Sequence, residues 1–392
     1  MKKLLALLLS LLVLASCNGP DQPAKDEEPE PQGQPAKLEP EDEEAKDQLW
    51  DFSVKTMEEI RSSSNSFYSP MSLYLALDML REGASDESLE ELNQLMGSQI
   101  DPRALIDYLS LDEENSQSLI ANSLWVQEGF KIKEDFQKKL EEDHGAQAEN
   151  LDLSLQASMD LIRAWIKENT KGRIDPELSA EANMALYLVN TLYLKSPWME
   201  PFYEENTKEG SFKGLEEELK VDFMEGSSDE ELYFENDKFQ LARKSLEGGL
   251  EAYFIKPKEM ELKELSYKEI LESMDEMTPH MINWTMPKVH LDYEMELNST
   301  LQELGLETIF ERDGKLGGIS EEILNVSLIK QWSDLLIEED GIEAAAATMI
   351  GVRMAMDPVE YPQVDMVLDS PYSVLILYKD LPLFMGEVYK PA

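Results

Sequence analysis

The segment EEDGIEAAAATMIGVRMAM, residues 338–356, decides the fold of this chain and admits more than one conformation. Its four alanines at 344–347 favour a helix by intrinsic propensity, although Gly351 would end that helix early. In an extended segment successive side chains alternate between two faces, and both Glu343 and Arg353 then fall on one face. The opposite face carries only apolar or small residues: Ile342, Ala344, Ala346, Thr348, Ile350, Val352 and Met354. A shift of one residue would bury both charges, so the segment can form a strand of a buried sheet as readily as a surface loop.

Length and charge narrow the possible functions. The chain has 392 residues, of which 42% are hydrophobic, and this is ample material for a large core. It carries 81 Asp plus Glu against 35 Lys plus Arg, a formal charge of -46. A surface of this sign repels nucleic acid and anionic lipid head groups, so nucleic acid is not expected as a partner. The excess is spread evenly, which is typical of a solvated surface rather than of a site.

The first residues indicate export. Two lysines precede an apolar run at 4–15 that is too short to span a bilayer permanently, so residues 1–16 are predicted to be a signal peptide. The sequence LASC at 14–17 resembles the lipobox of bacterial lipoproteins, which implies a lipid on Cys17 and a place in the cell envelope, at the outer membrane or cell surface. The alternative is a soluble secreted protein with an incidental cysteine. Cys17 is the only cysteine, so no internal disulfide can form.

A composition change divides the rest of the chain. Residues 17–46 are rich in proline and acids and poor in large apolar side chains, which predicts a disordered tether. Its acidic blocks resemble export tags of surface lipoproteins, or they only keep the tether extended. No linker or repeat interrupts residues 47–392, so these are expected to form one α+β domain.

Periodicity places helices mainly in the first part of that domain and strands in the second. Helices are predicted around Trp50–Ile60, after Ser69–Pro70, at 88–97 and at 157–172. Apolar runs without breakers predict strands at 118–127, 184–195, 250–257, 283–296, 372–379 and 382–391.

The sequence shows no pattern typical of a catalytic centre. The only histidines are His144, His280 and His290, and none has the spacing of a metal-ligand motif. Neither a nucleophile elbow nor a phosphate-binding loop is present. The sequence therefore predicts a protein that is not an enzyme and that has no metal and no cofactor.

Several segments together resemble the serpin family of protease inhibitors over residues 47–392. The hinge-like residues Glu339, Gly341 and Glu343 precede alanines and Thr348 as they do in serpin reactive loops. The further matching segments, in order, are NSFYSPMSLYLAL (65–77), NTKGRI (169–174), VNTLYLKSPWMEPF (189–202), LQELGLETIF (301–310) and PLFMGEVYKP (382–391). The segment SPYSVLIL (370–377) departs slightly, with Tyr372 and Ser373 where a phenylalanine and an apolar residue are common.

The resemblance implies a fold and a mechanism. The fold is a single α+β domain of about nine helices and three β-sheets, with an exposed reactive loop at about 339–362. The mechanism is suicide inhibition, in which a serine protease cuts the loop, remains bound as a covalent acyl complex and is distorted when the loop inserts into the central sheet. Insertion of four large apolar side chains and about ten backbone hydrogen bonds would supply on the order of 10 to 20 kcal/mol. A monomer without cofactor is expected.

The hinge residues decide whether the mechanism is intact. They are Glu339, Gly341, Ile342, Glu343, Ala344, Ala345, Ala346, Ala347 and Thr348. No charge stands on the face that would enter the sheet, which favours an inhibitor over a non-inhibitory binding protein. Ile342 is larger than the threonine or serine usual in the family, which predicts at most a slower entry.

Counting along the loop places the attacked bond between Ala355 and Met356, with Arg353 and Met354 as alternatives. Alanine and methionine suit the apolar pockets of elastase-like or subtilisin-like proteases. Arg353 would instead suit trypsin-like enzymes, and cysteine proteases are a further alternative.

The resemblance also implies a group of residues that controls sheet opening: Ser69, Ser72, Asn190, Trp198 and Gln331. Gln331 stands where the family usually has a histidine, and an amide does not titrate, so less pH dependence is expected. Purely structural roles remain open, because Ser69 can be a helix cap, Asn190 a buried amide and Trp198 a core residue.

Overall fold

A computed structural model of the chain describes residues 43–181, 183–342 and 360–391. The α-helices in these residues are α1 Glu43–Ile60, α2 Pro70–Gly83, α3 Asp86–Met96, α4 Pro102–Leu109, α5 Glu134–His144, α6 Gln156–Asn169, α7 Tyr267–Met274 and α8 Asn298–Glu303. The strands are β1 Ser66–Tyr68, β2 Leu111–Asp112, β3 Gln117–Gln127, β4 Gln147–Leu151, β5 Leu186–Pro197, β6 Lys208–Lys213, β7 Glu218–Glu235, β8 Phe239–Ser245, β9 Leu250–Pro257, β10 Thr278–Pro287, β11 Val289–Glu296, β12 Leu328–Ile337, β13 Gly341–Ile342, β14 Gln363–Val367, β15 Tyr372–Tyr378 and β16 Leu381–Val388.

Local sequence signals set the helix ends. The Ser69 hydroxyl caps α2 by accepting a hydrogen bond from the Ser72 amide, and Pro70 occupies the first turn. Helix α3 ends at Gly97, whose φ of +78° favours glycine. Helix α1 includes residues 43–46 of the segment predicted to be a tether, and within these residues Lys46 is buried. None of the helices in the described ranges combines the length and apolarity that crossing a bilayer requires.

The strands form two hydrogen-bonded sheets in the described residues. One has seven strands in the order β11-β12-β13-β5-β3-β2, with β4 also paired to β3. The other has nine, in the order β1-β16-β15-β9-β8-β7-β10-β14, with β6 also paired to β7. The 18-residue strand β7 joins two sections of this second sheet, which accounts for the three sheets expected from the sequence. The α+β fold class is confirmed, with eight α-helices in the described residues.

The strand predictions hold with one correction. Residues 283–296 were expected to be a single strand, but β10 ends at Pro287 and β11 begins at Val289 in the other sheet. The change of sheet occurs at Lys288, whose amide bonds to the carbonyl of Asp222. Proline at 287 has no amide proton and so marks the end of the ladder.

Two hydrophobic clusters cover the two faces of the seven-stranded sheet. The larger cluster includes α1, α2 and the centre of the nine-stranded sheet. In the smaller one, Ile162 and Ile166 of α6 pack with Tyr187 of β5 and Trp332 of β12. The smaller cluster therefore joins α6 to the sheet face that carries side chains of β3, β5 and β12.

Candidate functional site

The junction between β5 and β12 is closed along one part and divided at its end. The two strands pair directly and in parallel from Tyr187–Leu328 to Thr191–Trp332. Farther along, β13 lies between them and pairs antiparallel with both, Ile342 with Ile337 on β12 and with Ser196 on β5. The segment that follows the turn at 338–340 thus already occupies a position inside the sheet.

The turn that leads into β13 depends on glycine. The Glu338 amide donates to the Gly341 carbonyl at 3.0 Å, and the Gly341 amide donates to the Glu338 carbonyl at 3.3 Å. A Cβ atom on Gly341 would lie 2.3 Å from the carbonyl oxygen of Ser196, closer than any side chain tolerates. Glycine is required here because the chain enters between two strands that are already close.

Trp198 holds this turn from the end of β5. Its indole Nε1 donates to the carbonyl of Glu338 at 3.0 Å, and its amide donates to the carbonyl of Asp340 at 2.9 Å. The amide of Phe202 donates to the third carbonyl, that of Glu339. Trp198 thus contacts the hinge and is 2% exposed. It lies apart from the other four residues with which it was grouped.

Glu339 connects the turn to two other segments of the chain, at Lys288 and at Thr207. Its carboxylate accepts from Lys288 Nζ at 2.7 Å and from Thr207 Oγ1 at 2.6 Å. Burial alone would raise the pKa of Glu339, but these two hydrogen bonds outweigh burial and lower it. The carboxylate is therefore ionised and paired in a site where its side chain is only 10% exposed.

Ile342 departs from the sequence-based expectation. The hinge was expected to be exposed before cleavage, yet Ile342 is 2% exposed and packs in the larger core cluster. The reason is that β13 fills the end of the β5–β12 junction in the intact chain. Its burial, about 2 kcal/mol, therefore already stabilises this state and is not reserved for a later one.

The other four residues of the predicted opening group meet at the closed part of the junction. Asn190 Nδ2 donates to the Ser72 carbonyl at 2.7 Å and to its hydroxyl at 2.5 Å. Gln331 Nε2 donates to the Asn190 side-chain oxygen and to the Ser69 carbonyl, the latter at 3.0 Å. The Ser69 amide returns a hydrogen bond to Gln331 Oε1 at 2.7 Å. All four residues are at most 1% exposed, so these hydrogen bonds replace the ones that the same groups would make with water in the unfolded chain.

Asn122 completes this network and was missed by the sequence analysis. Asn190 Nδ2 also donates to Asn122 Oδ1, and Asn122 is 5% exposed. Strand register makes Asn122, Asn190 and Gln331 direct neighbours across β3, β5 and β12. One asparagine within an apolar strand gives no signal by itself, because the alignment of three strands is needed to reveal the row. We refer to Ser69, Ser72, Asn122, Asn190 and Gln331 as the amide row.

Lys244 is the second residue that was missed. Its Nζ lies 4.6–5.6 Å from the ring centres of Phe202, Trp198 and Trp284, and donates to the Glu200 carbonyl and the Ser228 hydroxyl. The rings favour the charged form, but burial dominates and lowers the pKa of Lys244 to about 7. A lysine near the end of a strand reads as solvated in the sequence, and only the packing shows otherwise.

The remaining predicted residues lie outside the described residues. They are Cys17, Glu343, Ala344, Ala345, Ala346, Ala347, Thr348, Arg353, Met354, Ala355 and Met356. The lipidation site, most of the hinge and the reactive bond consequently stay sequence predictions.

Comparison with known proteins gives a consistent family. A model of the family described as "Serpin (serine protease inhibitor)" matches residues 47–391. Alpha-2-antiplasmin of Bos taurus is 29% identical over 343 residues, which cover 83% of this chain and 68% of that protein.

Solved structures agree. Serpin48 of the insect Tenebrio molitor, described as a highly specific serpin, superimposes with a TM-score of 0.77 at 26% identity, covering 89% of this chain and 99% of that one. Human thyroxine-binding globulin, solved with its ligand, has a TM-score of 0.79 at 20% identity and covers 89% of this chain and 99% of its own. At 20% identity, the match to thyroxine-binding globulin shows a shared fold only.

Proposed function

The chain belongs to the serpin family, and from this premise we propose that it is an irreversible inhibitor of serine proteases that acts by conformational trapping. The family consists generally of protease inhibitors rather than enzymes. The observation that carries the proposal is the divided end of the β5–β12 junction, where the first hinge residues already lie between the two strands.

The geometry supports a zipper-like continuation of β13. Residues 343–348 follow directly, and in their extended register only small side chains would face the core. As each further residue enters, the backbone hydrogen bonds between β5 and β12 would be replaced by hydrogen bonds from both strands to the inserted strand. Each added hydrogen bond would stabilise the inserted form by about 1 kcal/mol net. The driving force is therefore available only after the loop has been cut, because an intact loop remains fixed at β14 as well as at β13.

A protease that cuts the loop as a substrate would form an acyl-enzyme at the new carboxyl end. Insertion then carries the bound enzyme along the sheet and disturbs its active site before water can release it. Trapping thus depends on whether insertion is faster than hydrolysis of the acyl bond.

The proposed targets are elastase-like or subtilisin-like serine proteases, which cut between Ala355 and Met356. The support is sequence alone, since alanine and methionine fit shallow apolar pockets. Arg353, Met354, trypsin-like enzymes and cysteine proteases are the alternatives that the cut site would distinguish.

Incubation of the purified chain with pancreatic elastase tests the function. We expect a complex that survives SDS and whose released fragment, by mass, begins at Met356. The chain cut by a protease that is not trapped should melt at a higher temperature than the intact chain. Cleavage without a complex and without this stabilisation would contradict inhibition and would indicate a binding protein of serpin fold.

We also propose that Cys17 anchors the protein to a bacterial envelope. The lysine-led apolar segment and the lipobox-like residues 14–17 support this. Mass spectrometry of the N-terminal peptide from membrane fractions should find a diacylglyceryl group on Cys17, and Cys17→Ala should release the protein from the membrane. An unmodified Cys17 in a soluble fraction would favour the secreted alternative.

A further inference from the structure

A histidine and two carboxylates converge where β11 and β12 run side by side. Asp292 on β11 and Asp334 on β12 are direct register partners, and His290 lies two residues away on the same face of β11. His290 Nε2 is 3.4 Å from Asp334 Oδ2 and 3.9 Å from Asp292 Oδ2. One nitrogen and two carboxylate oxygens thus lie within 4.8 Å of one another.

The negative charge at this place is incompletely balanced. Carboxylates directly opposite each other on paired strands repel. The Asp334 side chain is only 5% exposed, and its Oδ2 has no hydrogen-bond partner among the described residues. A buried oxygen without a partner, aimed at two other ligand atoms, is what distinguishes this group from an ordinary acidic surface.

We propose that His290, Asp292 and Asp334 bind a divalent transition-metal ion of the zinc class. Tetrahedral coordination at 2.0–2.2 Å separates ligand atoms by about 3.4 Å, close to the distances present. The imidazole favours zinc over magnesium or calcium, which prefer six or more oxygens. The side chains of His290 and Asp292 are 51% and 79% exposed, so they can adjust and the ion has a path from solvent.

The ion competes with Arg173, which follows α6. Arg173 Nε donates to Asp334 Oδ1 at 2.6 Å, and Nη2 lies 3.2 Å from His290 Nε2. The bound metal requires that same nitrogen, and its charge repels the guanidinium. Metal binding therefore weakens the bridge between the segment after α6 and β12.

That bridge lies beside the junction that must open. The cluster of Ile166, Ile174, Tyr187 and Trp332 joins α6 and its following segment to both β5 and β12. Releasing Arg173 loosens this cover, so the metal accelerates insertion of the loop. This second part rests on the inhibitory function proposed above, whereas the metal site itself does not.

Titration of the intact full-length chain with Zn²⁺ in a calorimeter tests the site without reference to inhibition. We expect one saturable site, at least about tenfold weaker in His290→Ala and in Asp292→Asn. The exposed position of Asp292 makes its variant safe for folding, and His280→Ala serves as a matched histidine control that leaves the affinity unchanged. Arg173→Gln should bind about tenfold more tightly, because the competing charge is gone. Absence of saturable binding, or equal binding by His290→Ala, overturns the site.

The effect on insertion is measured separately, as the rate of SDS-stable complex formation with and without Zn²⁺. We expect an increase of about threefold in the wild type and none in His290→Ala. A normal calorimetric result with an unchanged rate overturns the competition. Failure to form a complex under any condition would refute the inhibitory function and leave the metal result standing.

Discussion

The closed and the divided parts of the β5–β12 junction are stabilised by different chemistry. In the closed part the amide row joins α2, β3, β5 and β12 through neutral side-chain hydrogen bonds that are buried. In the divided part the backbone of β13 separates the strands, and an ion pair and an indole hold its turn. Separation of the closed part would leave amides unpaired at about 1 to 3 kcal/mol each, unless an inserted strand replaced the lost contacts.

This difference gives the junction a direction. If the strands separate from the divided end, the inserted strand replaces the lost β5–β12 hydrogen bonds, so the buried polar groups regain hydrogen-bond partners. If the strands separated first at the amide row, several buried amide and hydroxyl groups would lose their hydrogen bonds at once. Under the mechanism proposed above, strand insertion would proceed from β13 towards the amide row, and variants at the two ends test each part separately.

The largest effect is expected from Glu339→Lys. The new ammonium group would face Lys288, the partner that lies 2.7 Å from Glu339 in the present structure, at a site where Glu339 is 10% exposed. An unpaired buried charge of this kind destabilises by about 4 kcal/mol, and the turn should be expelled from its place. Urea unfolding would measure the loss, with Glu303→Lys at the exposed last residue of α8 as the charge-matched control. Equal midpoints for the two variants would show that the ion pair does not hold the turn.

Asn190→Leu should have the next largest effect, at the closed part. The substitution keeps a similar volume but removes the hydrogen bonds to Ser72, Asn122 and Gln331, for an expected loss of about 3 kcal/mol. Exposed Asn206→Leu is the control and should change stability by less than about 0.5 kcal/mol. If the stability of the two variants agrees, the amide row does not close the junction. A cut Asn190→Leu chain that inserts its loop faster than the cut wild type would sharpen the comparison.

The sequence predicted the closed part of the junction better than the divided part. Strands β3 and β5 are apolar runs, and the Ser-Pro pair before α2 is a strong start signal. Asn190 and Gln331 were located by family resemblance, because only strand register shows that they are neighbours. Asn122 could not be found in this way, since its role follows from alignment with β5.

At the divided part the residues that matter are far apart in the chain. Glu339 meets Lys288 and Thr207, and Lys244 meets Trp198 and Trp284, through contacts that no local pattern encodes. The 18 residues of β7 were likewise missed, because pairs of acids interrupt their alternation. The proposed ligands His290 and Asp334 are 44 positions apart, so histidine spacing along the chain could not point to them.

Lys244 adds a pH dependence to the divided part. Its pKa is about 7 in the folded chain against an ordinary value of 10.5, so between these values the unfolded chain binds more protons. The free energy of unfolding should therefore rise with pH, by about 2 kcal/mol from pH 7 to 9. Lys244→Met should remove this rise, measured as the difference between the two proteins at each pH. Parallel pH profiles of the wild type and the variant would mean that Lys244 keeps its ordinary pKa and that the aromatic rings offset its burial.

The smallest effect, from Ile342→Val, decides whether the divided end exists in the intact protein. Because Ile342 is 2% exposed before any cleavage, loss of one methylene should cost the intact chain about 1 kcal/mol. The cleaved chain should lose the same amount, since the residue is buried in both forms. Ile323→Val, at a site that is 64% exposed, controls for the substitution itself. If instead only the cleaved chain is destabilised, Ile342 enters the sheet after the cut, and the intact junction would be closed along its whole length rather than divided at one end.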